Sequence, residues 1–185
     1  MKTVVLVEGT SDQRAIEALA ERLGRSLEAE RISVVPMGGA QAIGRFLASY
    51  GPNGQNLRLA GLCDVQEEDD FRRGLEQAGL GSNLTRADME QLGFFVCVRD
   101  LEDELIRAHG ADSVERVAEA HGDLQAFRTL QKQPAWHGQP VEEQLRRFMG
   151  SGGRRKLRYA SYLVSALNPA DVPRPLAGVL EAALR

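Results

Sequence analysis

The chain has 185 residues, enough for one domain with a full core but not for two separate cores. Its 23 basic and 26 acidic side chains leave a net charge of −3, so the overall balance favours neither nucleic acid nor a membrane surface. Cys63 and Cys97 each sit inside an apolar run and offer neither a disulfide framework nor zinc-ligand spacing. With no basic and apolar leader after Met1 and no apolar run of membrane-spanning length, the expectation is a soluble, cytoplasmic protein.

Val4, Val5, Leu6 and Val7 are apolar without alternation, which predicts a parallel strand covered on both faces. Glu8 stands at its carboxyl end, Gly9 permits a sharp turn, and Thr10 or Ser11 can cap the helix that follows, with Gln13 in capping-box register to Thr10. Ala15, Ile16, Leu19, Ala20 and Leu23 continue at helical spacing until Gly24. Residues 32–35 predict a second strand ending at Pro36. Gly38, Gly39 and Ala40 then lead into a helix with Ile43, Phe46 and Leu47 inward, and the glycine pair offers an anion site at its N-terminus. A third strand over residues 57–63 ends on Asp64, and a helix over 67–78 carries Glu67, Glu68, Asp69 and Asp70 in its first turn, where the helix dipole favours them. The fourth strand, residues 94–98, runs into Asp100, Glu102, Asp103 and Glu104, of which Asp100 can cap the helix bearing Leu101, Leu105 and Ile106.

Strands alternating with helices predict an α/β core over residues 1–110, a four-stranded, mainly parallel sheet flanked by helices. Beyond Gly110 only helical patterns occur, so residues 111–185 read as a helical extension packed on the core in a single structural unit. Within it, the glycine loop 150–153 precedes a basic helix over 154–167, with Leu157, Ala160, Val164 and Leu167 on its apolar side.

Ligands of open α/β sheets bind outside the carboxyl ends of the strands. Three strands end in acids there: Glu8 with Asp12, Asp64, and Glu102. Gathered carboxylates repel one another until a cation relieves them. An oxygen-only set selects a hard ion, Mg²⁺ or Mn²⁺, one or two in number, and the chemistry that follows is metal-assisted phosphoryl transfer. Arg146, Arg147, Arg154, Arg155, Lys156 and Arg158 crowd the C-terminal half. Arg154, Arg155, Lys156 and Arg158 are candidate nucleic-acid contacts, or else the solvated face of a helix. Tyr159 and Tyr162 stand either to stack a base or to pack at the core and rim. His109, His121 and His137 lack ligand spacing and suit surface or capping roles, and Trp136 suits a loop anchor.

The pattern strand-E-G-x-S-D-helix over residues 4–12, a strand ending in Asp64 and a strand leading to Leu101 and Glu102 together resemble the Toprim domain of topoisomerases, bacterial primases and OLD-family nucleases. The serine of the E-G-T-S-D run, the L-E pair before a helix and a lysine-bearing helix near the C-terminus are most similar to the OLD (overcoming lysogenization defect) type. The resemblance is close over residues 3–109 and looser over 140–185. It implies a Toprim-like, Rossmann-like fold, with Glu8 as a metal ligand or general acid/base, Asp12, Asp64 and Glu102 as metal ligands, and Lys156 stabilising charge on the transferring phosphate. The family's D-x-D appears here as Asp64, Val65, Gln66; Gln66 can donate a neutral oxygen, or Glu67 or Glu68 can substitute through a shifted turn. Losing one charge weakens or abolishes a second ion. The activity implied is a nuclease acting on DNA or RNA. The alternatives are a nucleotidyl transferase and a catalytically degenerate module that binds nucleic acid or a nucleotide for a partner. The sequence contains no G-x-x-x-x-G-K-[ST] loop, so ATP hydrolysis is expected only from a separate ATPase protein. The oligomeric state is open, a homodimer included.

Overall fold

The structure is a computed structural model and describes residues 2–185. Its sheet is built from β1 (Thr3–Val7), β2 (Ile32–Pro36), β3 (Arg58–Asp64) and β4 (Phe94–Cys97). They lie in the order β2-β1-β3-β4, and all three pairings are parallel. Every residue of the central strand β1 is buried, as a run without polar alternation requires. Successive side chains point to opposite faces, so Val5 and Val7 join Ala60, Leu62 and Cys97 in one core, while Val4 and Leu6 join Cys63, Phe94 and Val96 in another.

The second face is covered by α2 (Ile43–Tyr50), α3 (Glu68–Gln77) and the short α4 (Arg86–Gln91), which supply Ile43, Leu47, Phe71, Leu75 and Met89. Residues 86–91 contain Met89 as their only large apolar residue, so α4 leaves no periodic signal in the sequence. The first face is covered by α1 (Thr10–Arg22), whose Ala15, Ile16, Leu19 and Ala20 are buried at the predicted spacing. It is completed by α5 (Leu101–His109), α6 (Ala111–Ala120), α7 (Leu124–Gln131), α8 (Val141–Gly150), α9 (Gly153–Ala166) and α10 (Arg174–Leu184). Helix α9 packs along α1, and α10 returns to lie on β3 and β4. Leu176, Val179, Leu180 and Ala183 therefore share one core with Ala60, Leu62 and Cys97 of the sheet.

Two one-turn 3-10 helices, Ala40–Ala42 and Val65–Glu67, precede α2 and α3. The second delays α3 to Glu68 and turns Glu67 back toward the sheet edge.

Gly61 of β3 lies under the ring of Phe94; a Cβ there would sit 2.5 Å from the ring and 3.1 Å from the Leu6 carbonyl oxygen. Because Phe94 is itself buried at 1% exposure, it has no room to yield. Gly61→Ala is expected to destabilise the fold by about 1–3 kcal/mol through overpacking, read as a lower urea midpoint. An unchanged midpoint would show that the ring can move.

Candidate metal centre

The chain leaves β1 toward β2 on one side and returns to β3 on the other, so the strand order reverses between β1 and β3. That switch point is where an open α/β sheet forms its crevice. Glu8 follows β1 and Asp64 ends β3, and one carboxylate oxygen from each lies with one from Glu67 so that all three are within 4.8 Å of one another. Around an octahedral Mg²⁺ adjacent oxygens are about 3 Å apart and opposed ones about 4.2 Å, so the three side chains would have to draw together to share one hard ion. Glu67 Oε2 is buried without a hydrogen-bond partner, an orphan acceptor that a cation would satisfy.

Asp12 stands in the first turn of α1, and its Oδ2 accepts the Gly9 N–H at 2.9 Å. The predicted Thr10–Gln13 capping box does not form. Gly9 is the N-cap, so the third helical position falls on Asp12, and Gln13 instead donates to Glu17 Oε1 at 2.9 Å. Burial pushes Asp12 up to about 6, against the Gly9 hydrogen bond and the attraction of Lys156. Asp64 is pushed up to about 8 by burial and then by the charges of Asp12, Asp100, Glu67 and Glu8. Glu67 and Glu102 are also raised, burial being the largest cause for both.

The acids after β4 divide by their partners. Asp100 caps α5 by accepting the Asp103 N–H at 2.8 Å and takes the Arg146 Nε at 2.7 Å. Glu104 accepts the Val98 N–H at 2.7 Å and pairs with Arg107 at 2.8 Å. Glu102 instead faces Lys156, whose Nζ is 3.4 Å from its Oε1. Burial alone would lower the Lys156 ammonium, but Glu102, Asp12 and Asp64 outweigh it and the net shift is upward, so the lysine stays charged. Arg146, Arg147 and Lys156 line a cavity of about 230 Å³ beside Glu102 and Asp100.

Gln66 is exposed, and Glu68 is drawn away by Arg86, whose Nε donates to it at 3.1 Å. The acid that joins Glu8 and Asp64 is Glu67, the other alternative left by the missing second aspartate. In a run of four acids nothing but the 3-10 turn distinguishes it. The Gly38 and Gly39 N–H groups both donate to the Glu8 carbonyl, at 3.0 and 3.2 Å, so the glycine pair anchors the candidate ligand's backbone and leaves neither N–H for an anion.

On α9, Arg154 and Arg158 line a groove of about 650 Å³ with Arg14 of α1, floored by Leu157 and Tyr162. Arg158 also meets Asp123 at 3.5 Å. Arg155 turns inward, its guanidinium 4.3 Å above the Phe148 ring and donating to Ser151 Oγ at 2.7 Å. Tyr159 is core, its hydroxyl donating to Asp123 at 3.3 Å, and Tyr162 stacks on His121 with centroids 3.5 Å apart. His109 Nε2 lies 2.8 Å from the Leu163 carbonyl oxygen, tying the end of α5 to α9.

A parallel sheet in this order, with carboxylates at its switch point and a lysine brought in by a later helix, has the form of a Toprim unit. Residues 1–64 match the family model of the overcoming lysogenization defect protein-like TOPRIM domain. The whole fold is similar to the C-terminal region of the Burkholderia pseudomallei OLD protein, with TM-score 0.76, 23% identity, and 98% of this chain and 96% of that one covered. It is likewise similar to the C-terminal region of the Xanthomonas campestris pv. campestris OLD protein, with TM-score 0.75, 26% identity, and coverage of 99% and 92%. No curated protein matches the sequence. Over residues 1–64 the chain is therefore similar to an OLD-like Toprim domain, and its fold as a whole is similar to that of an OLD C-terminal region.

Asp12 and Asp64 bind protons more tightly folded than unfolded, so their contribution to stability is fully present below about pH 4 and is lost as pH rises through about 6 and 8. In EDTA the melting temperature is therefore expected to fall between pH 5 and pH 8.5, and Asp64→Asn to flatten that fall and melt higher than wild type at pH 8. Thermal melts across this range check it; a wild-type melting temperature that rises with pH over the same interval would contradict the crowding of charge.

Proposed function

We propose that this protein is a divalent-metal-dependent nuclease of OLD-like Toprim type, cutting phosphodiester bonds of DNA or RNA. The observation that carries the reading is the meeting of Glu8, Asp64 and Glu67 within 4.8 Å at the sheet's switch point, with a buried Glu67 oxygen left unpartnered. These residues fit Mg²⁺ or Mn²⁺, because the donors are all carboxylate oxygens and burial makes the apo cluster hold protons that a cation would displace. A bound ion of this kind polarises the phosphate and activates the attacking water.

Glu8, Asp64 and Glu67 are the ligands, with Asp12 held at their side by the Gly9 N–H. Glu67 supplies the charge that Gln66 does not. Glu8 also accepts or returns the proton of the attacking water, a role open to a half-buried carboxylate beside the reacting phosphate. Glu102 orients Lys156 through their ion pair, and the lysine offsets negative charge that develops on the phosphate oxygens. Arg14, Arg154 and Arg158 hold the nucleic-acid backbone outside the catalytic edge.

Cleavage of supercoiled plasmid and labelled RNA in Mg²⁺, Mn²⁺ or EDTA tests the reading. Cutting is expected only with metal and is expected to fall by about 100-fold or more in Glu8→Ala, Asp64→Ala and Lys156→Ala. Glu67→Gln is expected to weaken Mn²⁺ affinity by about 10- to 100-fold, while Glu68→Ala leaves it unchanged. Metal-dependent cutting that survives both Glu8→Ala and Asp64→Ala removes the site. Separately, replacing Arg14, Arg154 and Arg158 by alanine is expected to weaken nucleic-acid binding and reduce the slope of log affinity against log salt by roughly 2 to 3. Fluorescence anisotropy over a salt series measures it.

A further inference from the structure

A second cavity, of about 640 Å³, opens beside the carboxylates on the β2 side of the sheet, between the glycine turn after β2 and the Val65–Glu67 turn after β3. Its lining includes Gly38, Gly39, Arg45, Gln66, Glu67 and Asp70. Glu67 belongs both to this cavity and to the metal cluster, so whatever fills the cavity touches the reacting edge. The volume is that of a small-ligand pocket, large enough for one nucleotide.

The polar side chains free to bind there are Arg45 and the exposed amides of Gln41 and Gln66, of which Gln66 is next in the chain to Glu67 of the metal cluster. Gly38 and Gly39 spend their N–H groups on the Glu8 carbonyl. Asp70 is taken by Arg73 at 2.5 Å. Arg45 is exposed, and among the described residues no carboxylate lies within ion-pair distance of it. The Gln66 amide, also exposed, makes no side-chain hydrogen bond among the described residues. Arg45 rides on α2, which covers one face of the sheet, whereas Lys156 rides on α9 over the other. A polyanion crossing the carboxyl edge of the sheet therefore meets a cation on each side of the acids.

We propose that this cavity holds the nucleotide next to the scissile phosphate, with Arg45 contacting its backbone phosphate and the Gln66 amide contacting its base; the proposal rests on the nuclease reading. A guanidinium offers several donors to phosphate oxygens, and a primary amide offers one donor group and one acceptor, which suits a base edge. The position where the family has a second acid is thus a substrate contact in this chain and not a metal ligand.

The test compares wild type with Arg45→Ala, Gln66→Ala and Gln66→Asp in three measurements: oligonucleotide binding in EDTA over a salt series, the distribution of cut positions on a randomised substrate with Mn²⁺, and Mn²⁺ affinity by calorimetry. Arg45→Ala is expected to raise KM roughly tenfold with little change in kcat and to reduce the salt slope by about 0.7 to 0.9. Gln66→Ala is expected to flatten the base preference at one position beside the cut and to leave Mn²⁺ affinity as in wild type. A Gln66→Ala substitution that lowers Mn²⁺ affinity tenfold or more puts the wild-type amide in the metal shell and overturns the assignment. Wild-type cutting with unchanged KM, salt slope and cut positions in all three variants overturns this proposal alone. A wild type that neither binds nor cuts any nucleic acid overturns the nuclease reading, and this inference falls with it.

Discussion

Carboxylates crowded at one edge of a buried sheet cannot all keep their charge without a counter-charge, and the architecture around the switch point follows from that repulsion. Burial and mutual proximity drive Asp64 up to about 8, where it keeps its proton near neutrality in the metal-free cluster, and burial drives Asp12 up to about 6. The fold tolerates the crowding by distributing relief. Gly9 donates its N–H to Asp12, Lys156 neutralises Glu102, and Arg146 takes Asp100. What is left unrelieved is the trio of Glu8, Asp64 and Glu67, with an oxygen of Glu67 that no protein group serves.

The helical second half is tied to this edge through its packing. α9 lies along α1 and α10 lies on β3 and β4, so the elements that carry Lys156 and the basic groove share a core with the strands that carry the acids. A close-packed core transmits little slack, and the lysine is therefore held against Glu102 by the same contacts that cover the sheet. The glycine turn after β2 works similarly on the other side, gripping the Glu8 backbone through two N–H groups at Gly38 and Gly39.

The basic residues of α9 show how one charge run divides once it is folded. Lys156 faces the acids, Arg155 packs inward over Phe148, and Arg154 and Arg158 face a groove with Arg14, a residue more than a hundred positions away in the chain. Helical geometry alone separates neighbours by about 100°, so adjacent cations cannot share a role.

Read from residues alone, Thr3 to Asp12 already determined the central strand, the turn and two of the acids, because an uninterrupted apolar run ending in E-G-x-S-D leaves few local structures open. The ends of the strands at Asp64 and before Glu102 were legible for the same reason, as was the cap formed by Asp100. Tertiary structure decided that Glu67 and not Glu68 meets Glu8 and Asp64, since a single 3-10 turn selects one acid from a run in which local charge and propensity are nearly equal. It also decided that Gln66 lines a cavity, that the glycine pair serves Glu8, and that Arg14 joins Arg154. Each of these depends on which groups face one another across separate elements, and that depends on packing more than on any short stretch of sequence.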